Sequence, residues 1–532
     1  IQHILKNRKY SGNLIQVRRE YHLARKHYKH IEFFIEYYSP VEAKLFINGP
    51  LVPKHDPEFG NQIFYPQGFQ RIEEILYSDN SITDTSSLFN EYRLLNTKLE
   101  ELSTYYNYVE IEEGKLLEMC QLELFRIGAM NLNGYDATIS QTNVIEAFSS
   151  LHGIDKVIKA FSPKTKSLLH YENIIKTLTN TKTFLLQNTN YNTFNRLHFI
   201  TKYINKLNNE IVAFHNTSDF PWDTRKQALF LNKKSLFNIE NFNLRYFSIY
   251  YDDTLNLPKQ AHLGKKLFND PILSGNNLIS CSTCHTPAKA FTDGLPKSFA
   301  FDKENHLPRN TPTLLNVAFQ KAFFHDGRVY QLEQQIHDVV HNQSEMNSTL
   351  EESTIRLKSD NNYLKLFKEA FIGTPDTIIS SYAIQKALTE YEKTLLSFNS
   401  RFDKYLKGDV KALNLREING YNIFGGKALC GSCHFLPLFN GTVPPFYNDS
   451  ETEVIGTAKS SENKELDDDL GRFNVTNNDI HKHGFKTPTI RNAELTAPYM
   501  HNGAYSTLEQ VIEFYHKGGG AGLGLKVENQ TL

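Results

Sequence analysis

Five cysteines occur in the 532-residue chain, and four of them fall in two copies of one short pattern. Cys281-Ser282-Thr283-Cys284-His285 comes first, and Cys430-Gly431-Ser432-Cys433-His434 second. Two thiols separated by two residues can each add to a vinyl group along one side of a haem, and the histidine that follows then lies under the iron as proximal ligand. The rival chemistry for paired Cys-x-x-Cys knuckles is a structural zinc site, which leaves a histidine after both pairs unexplained. Cys120, away from both motifs, reads as a small buried hydrophobe on a helix.

Two covalently bound haems c imply export, because attachment is completed outside the cytoplasm in bacteria; the periplasm or another extracytoplasmic compartment is expected. The chain opens at Ile1 rather than Met, which leaves room for an export signal already removed without being evidence of one. No apolar run approaches the roughly 20 residues that span a bilayer, so no transmembrane segment is expected, although a lipid anchor stays open. A formal net charge of −1 gives no reason to expect a nucleic-acid partner.

Such motifs need elements to hold them, and the chain is too long for one core. Up to about residue 235, helical signals dominate. Leu23, His27, Ile31, Phe34 and Tyr38 share one face, predicting a helix over 22–38. Residues 88–106, 116–130, 142–151 and 197–214 read likewise, whereas the Pro-, Gly- and Asn-rich 48–68 is a loop. Residues 238–253 suit a linker, and two turn-rich stretches follow, each introduced by a short helix. The expected fold is all-α: a helical bundle over 1–235, then two c-type cytochrome domains over 236–405 and 406–532.

From Leu263 to Gly520 the chain resembles the bacterial di-haem cytochrome c peroxidase and MauG family. The blocks that carry this are LGKKLFNDPILS (263–274), CSTCHTPAKAFTDG (281–294), RNTPTLLN (309–316), FFHDGR (323–328), GKALCGSCH (426–434) and FKTPTIRNAELTAPYMHNG (485–503). The resemblance implies an enzyme that reacts with hydrogen peroxide at its N-terminal haem, attached at Cys281 and Cys284 with His285 below. The second haem, attached at Cys430 and Cys433 with His434, stores electrons. Gln335 and Glu345 match the catalytic pocket over the first haem. A carboxylate there can take the proton that peroxide loses and return one to the departing oxygen. By spacing alone Glu345 would be a solvated charge at a helix end. The resemblance also implies one calcium ion on the Asn310 side chain and the Thr496 and Pro498 carbonyls, an all-oxygen set suited to a hard cation.

The sixth ligand of the second haem separates the branches of the family: methionine in the peroxidases, tyrosine in MauG-like members. The matching position here is Tyr515, with Met500 as the alternative. This favours a MauG-type oxidoreductase that shares oxidising equivalents between its haems and acts on a protein substrate. A plain peroxidase fed by a small redox protein, and a non-enzymatic electron-transfer or metal-binding module, remain the alternatives. Two features depart from the family. His325 stands where a tryptophan commonly relays electrons, and no histidine except His306 lies near a position able to block the first haem. Trp222 is the only tryptophan, which excludes self-oxidation of a tryptophan pair.

The N-terminal 235 residues resemble imelysin-like (M75) helical proteins through Gly68-Phe69-Gln70-Arg71-Ile72-Glu73 and RIGAMNLNGYDA (126–137). Glutamine replaces the histidine of the G-x-H-x-x-E motif, which removes its best transition-metal ligand. A polar helix start is an equal reading, and His22 and Glu32 are further candidates for such a site.

Overall fold

A computed structural model describes residues 14–56, 62–78, 85–161, 165–249, 254–372 and 379–532. The chain is mainly helical, with two small antiparallel ladders, Lys54–Asp56 with Gln62–Phe64 and Thr452–Val454 with Gly484–Lys486. It divides into two compact units. One holds residues 1–242, 399–437 and 444–446; the other holds 243–398, 438–443 and 447–532. This differs from the expected three-way division at 235 and 405. The segment with the second cysteine motif groups with the N-terminal helices instead of standing in a domain of its own.

The first unit is built on α1 (Leu14–Lys29), α2 (Glu32–Tyr38), α3 (Phe69–Tyr77), α4 (Thr85–Tyr106), α5 (Glu113–Ala129), α6 (Asn143–Ala160) and α7 (Leu168–Gln187). A continuous helical path follows over Arg196–Phe199, a π-turn at Ile200–Ile204, and α8 (Asn205–Thr217). The single helix expected over 22–38 is broken at His30–Ile31. The cause lies elsewhere in the chain: the His30 carbonyl presses on Gly153 of α6, where an added Cβ would come within 2.1 Å of it. The break also lets Lys29 and Glu32 turn inward together, Nζ to Oε1 2.7 Å.

They join an enclosed ion cluster. Asp136 receives Lys29 at 2.7 Å and Arg126 at 2.6 Å, and Arg25 holds Glu146 at 2.5 Å. The two cations keep the Asp136 carboxyl far below the usual carboxylate range despite its burial. Charges this buried persist only when paired. The G-x-Q-x-x-E stretch serves the same interior. Gln70 donates to the Tyr135 carbonyl at 2.8 Å, and Glu73 accepts from the Ser140 amide at 3.1 Å. Among the described residues no three His, Cys, Asp or Glu side chains are gathered to hold a metal.

The second unit packs α9 (Leu257–Asn269), α10 (Leu332–His341) and α11 (Ser381–Glu392) around one core. Leu263, Leu267 and Phe268 of α9 meet Ile384, Ala387 and Leu388 of α11 in that core. The crossing is tight enough that a Cβ on Gly264 would meet the Ala387 carbonyl oxygen at 1.9 Å. Leu332, Ile336 and Val340 give α10 an apolar inner face at helical spacing. The first unit also holds α12 (Leu415–Phe424), and the second also holds α13 (Leu508–His516).

Candidate active site

Within the second unit lies a cavity of about 1270 Å³, larger than the roughly 300–1,000 Å³ of ordinary small-ligand pockets. Cys281, Cys284 and His285 form one part of its wall, and Gln335 and Glu345 line it as well. The structure therefore brings together the first motif and both proposed catalytic side chains.

The motif owes its shape to local hydrogen bonds. Ser280 and Thr283 form a reciprocal capping box that starts the four-residue helix Cys281–Cys284, and the His285 amide donates to the Cys281 carbonyl at 2.9 Å. His285 Nδ1 lies 3.0 Å from the Phe291 carbonyl, which can only accept, so Nδ1 carries the proton and Nε2 keeps its lone pair. Burial lowers the His285 pKa and keeps the ring neutral. The Phe291 carbonyl is aimed by a sharp turn in which Ala290 and Phe291 both have positive φ, with Thr313 Oγ1 donating to the Ala290 carbonyl at 2.6 Å. Burial pushes the Cys281 thiol up to about 12 and the Cys284 thiol up to about 11.

Helix α10 carries Gln335, Ile336, Val339 and Val340 to the cavity, and the turn after it supplies Glu345. Burial raises the Glu345 pKa, partly countered by a 2.6 Å hydrogen bond from Asn342 Nδ2 and by the charge of Arg328. A partly desolvated carboxyl with its pKa moved toward neutrality suits acid–base work. The Arg328 guanidinium stacks over the Phe324 ring at 3.5 Å and bonds Asp326 at 3.0 Å. Asp326 also pairs with Arg309, which reaches Asp469 at 2.6 Å. Arg328, Asn342 and Glu392 line the cavity but were not singled out from sequence. The arginine in FFHDGR was the one available signal.

His325 lines the same cavity. Its Nε2 donates to the Asn310 carbonyl at 2.8 Å, and burial drives its pKa down to about 3, so the ring is neutral. Asn310 Nδ2 donates to the Leu295 carbonyl at 2.8 Å, which orients the amide. Among the described residues no backbone amide donates to the Thr496 or Pro498 carbonyl. His306 is exposed, its Nδ1 bonded to the Lys297 carbonyl at 3.0 Å.

The second motif repeats the turn of the first, with the His434 amide donating to the Cys430 carbonyl at 3.0 Å. Within its unit it packs against the Asn131–Asn133 turn after α5: the Gly431 Cα faces Asn133, and Phe435 lies edge-on to Tyr135 at 5.6 Å. Tyr515 on α13 is partly exposed, and Met500 has a positive φ of 71°. Both belong to the other unit.

A cavity of this size walled by Cys-x-x-Cys-His defines a cytochrome-like redox protein whose pocket also holds acid–base groups. A family model described as di-haem cytochrome c peroxidase matches residues 258–411. The chain is 39% identical over 253 residues to a cytochrome c551 peroxidase of Nitrosomonas europaea, covering 48% of this chain and 71% of that one. It is 35% identical over 286 residues to a cytochrome-c peroxidase of Denitromonas iodatirespirans, covering 49% and 74%. It is 35% identical over 264 residues to the methylamine utilization protein MauG of Methylorubrum extorquens, covering 49% and 70%. The chain belongs to the di-haem cytochrome c peroxidase and MauG family, whose members are enzymes carrying two haems.

Proposed function

We propose that the protein reduces hydrogen peroxide at a haem c held in the second-unit cavity by Cys281, Cys284 and His285. The observation that carries this is the presence of the motif and the Gln335–Glu345 pair in one wall system. The residues fit the group: two cysteines free of any disulfide, a neutral histidine whose Nδ1 is anchored on the Phe291 carbonyl, and space for a macrocycle. When bound, the haem supplies one-electron and peroxide chemistry at its iron.

The protein's own contribution is positioning and proton handling. The Phe291 carbonyl fixes the His285 ring and its tautomer. Glu345 takes a proton from incoming peroxide and delivers it to the departing oxygen. Its raised pKa keeps the acid and base forms close in energy, and Asn342 holds one carboxylate oxygen still. Gln335 offers an amide donor from the adjoining helix turn. Glu345→Gln keeps the shape and removes the titrating group. The bimolecular reaction with peroxide should fall about 10²–10⁴-fold while the resting spectrum is retained. An unchanged stopped-flow rate would overturn the assignment.

The second haem is attached at Cys430 and Cys433 with His434 as proximal ligand, and Tyr515 as its partner makes the reaction MauG-like. A phenolate favours the higher oxidation states of iron over the lower. Loss of the second-haem ferric signature in Tyr515→Phe supports this; the same loss in Met500→Leu instead assigns Met500. The identity to cytochrome c551 peroxidase favours a second reading, turnover fed by a small redox protein. Rapid oxidation of reduced cytochrome selects it, and a long-lived oxidised state without donor selects the MauG type. Calcium on Asn310, Thr496 and Pro498 and an extracytoplasmic location complete the proposal. Among the described residues no helix is long and apolar enough to cross a membrane.

A further inference from the structure

Helix α10 has a second chemically equipped face. Its inner side serves the core and cavity through Leu332, Ile336 and Val340. Its outer side carries His337, Asp338 and His341, the two histidines one helical turn apart. Their rings lie parallel, with centroids 3.9 Å apart and planes 20° from coplanar orientation. His341 Nδ1 is 2.8 Å from the His337 carbonyl, which can only accept, so this nitrogen is protonated. His337 Nδ1 lies 3.2 Å from the Asp338 carboxylate, which fixes the same tautomer. Both Nε2 atoms therefore keep a lone pair. This is the outer hydrogen bonding that orients a metal-binding imidazole. The carboxylate of Glu351 sits 3.8 Å from His341 Nε2. Solvent reaches all three groups, with side-chain exposures of 48% for His337, 28% for His341 and 73% for Glu351.

We propose that His337 and His341 form a chelate for a late first-row divalent cation, copper(II) above all, on the outside of the helix that presents Gln335. Imidazole nitrogens suit this class of metal, and copper(II) heads the divalent series in affinity. No three side chains surround one point among the described residues, so the ion is held by the two imidazoles, which turn out of their parallel stack to bring both Nε2 atoms to it, with water completing its shell. Another group of histidines shows why charge matters. His27, His30 and His152 stand with neighbouring ring centroids 5.7 and 4.9 Å apart, in the first unit. Lys26 and Lys156 add positive charge there, and burial together with those charges lowers the His30 pKa to about 4. A cation is repelled at that site, whereas Asp338 and Glu351 attract one at His337 and His341.

The test uses untagged holoprotein, titrated with copper(II) in competition with a chromophoric chelator and followed by electron paramagnetic resonance. One copper per chain with coupling to two imidazole nitrogens is expected. His337→Gln and His341→Gln should each weaken binding at least about 10-fold, while His30→Gln leaves it unchanged. Zinc(II) should raise the Tm of the parent protein and not of the two α10 variants, because only a bound native state is stabilised. Equal copper affinity in the parent and both variants overturns the proposal, as does a signal from a single nitrogen. The two positions are solvent-exposed, and unchanged Tm without metal shows that the variants fold. Loss of peroxide reactivity in Glu345→Gln bears on the haem pocket alone and leaves this site standing or falling by itself.

Discussion

The two Cys-x-x-Cys-His motifs close the same turn with nearly the same hydrogen bond, 2.9 Å in the first and 3.0 Å in the second. Their surroundings differ. The first stands in the wall of a wide cavity, and its intervening residues, Ser282 and Thr283, are half-buried and exposed. The second is pressed against the N-terminal helices. Its intervening glycine faces Asn133, and Gly425 and Gly426 before it approach Asn133 and Arg196 closely enough that a Cβ on either would clash. Arg196 is buried, with no acidic partner among the described residues, and donates to the carbonyls of Leu132, Tyr191 and Phe194. The contrast separates two tasks: one motif is placed where a small molecule can reach it, the other where a rigid scaffold holds it. The N-terminal helices thereby hold the second motif in place.

The largest expected effect comes from deleting each attachment pair in turn. Cys281→Ser with Cys284→Ser should halve the haem content and reduce peroxide turnover to background. Cys430→Ser with Cys433→Ser should halve haem content as well, yet leave peroxide able to bind at the first site. Haem assay and stopped-flow absorbance distinguish the two. If both pairs abolish peroxide binding alike, the division of labour is wrong.

A smaller effect should follow from exchanging the residues after the first cysteine. Gly431→Ala places a methyl 2.9 Å from the Asn133 Cβ. Asn133 cannot swing away, because its Nδ2 is tied to the Ala129 carbonyl at 2.9 Å. Overpacking of this kind costs about 1–3 kcal/mol, or a fall of about 2–10 °C in the Tm of the first unit. Ser282→Gly at the equivalent place should change stability by less than about 1 kcal/mol, since it forfeits only a partly exposed hydroxyl contact with Ser280. Differential scanning calorimetry compares them directly.

The same pair of regions shows what sequence can carry. Both motifs were legible because covalent chemistry fixes their spacing within five residues. Gln335 and Glu345 were legible through resemblance, and both line the cavity walled by Cys281, Cys284 and His285. What was hidden depends on distant partners. Nothing near Gly431 announces Asn133, some 300 positions earlier, and the division at 235 and 405 missed that link. The helix expected over 22–38 followed its own periodicity, which has no knowledge of Gly153. Helix α7 hides its buried stripe of Ile174, Leu178 and Leu185 because further apolar residues, Leu168, Leu169 and Leu186, stand exposed on its other faces. His337 and His341 were passed over because a surface pair gains meaning only when ring orientation and tautomers are known.

The last expected effect appears only as pH rises and concerns Glu392, which lines the first cavity. It is almost fully buried at the end of α11, and burial, with the Glu333 carboxylate adding to it, pushes its pKa up to about 8. The unfolded value is near 4.3. A folded pKa raised above the unfolded one means that the neutral acid is the form the fold accepts. Its stability is fully present below about pH 4 and is lost progressively as pH rises toward 8, because ionisation is then favoured only in the unfolded chain. Glu392→Gln removes the proton equilibrium while keeping the volume and one carbonyl acceptor. The variant should match the parent near pH 4–5 and exceed it near pH 8, the gap widening by up to about 1.4 kcal/mol per pH unit in between, at about 2–4 °C in Tm per kcal/mol for a unit of this size. A parent-minus-variant difference that is flat from pH 5 to pH 8 would show that Glu392 is ionised in the fold. The cavity beside Cys281 would then carry a fixed negative charge where the structure implies a neutral wall, and the first motif would differ from the second in electrostatics as well as in packing.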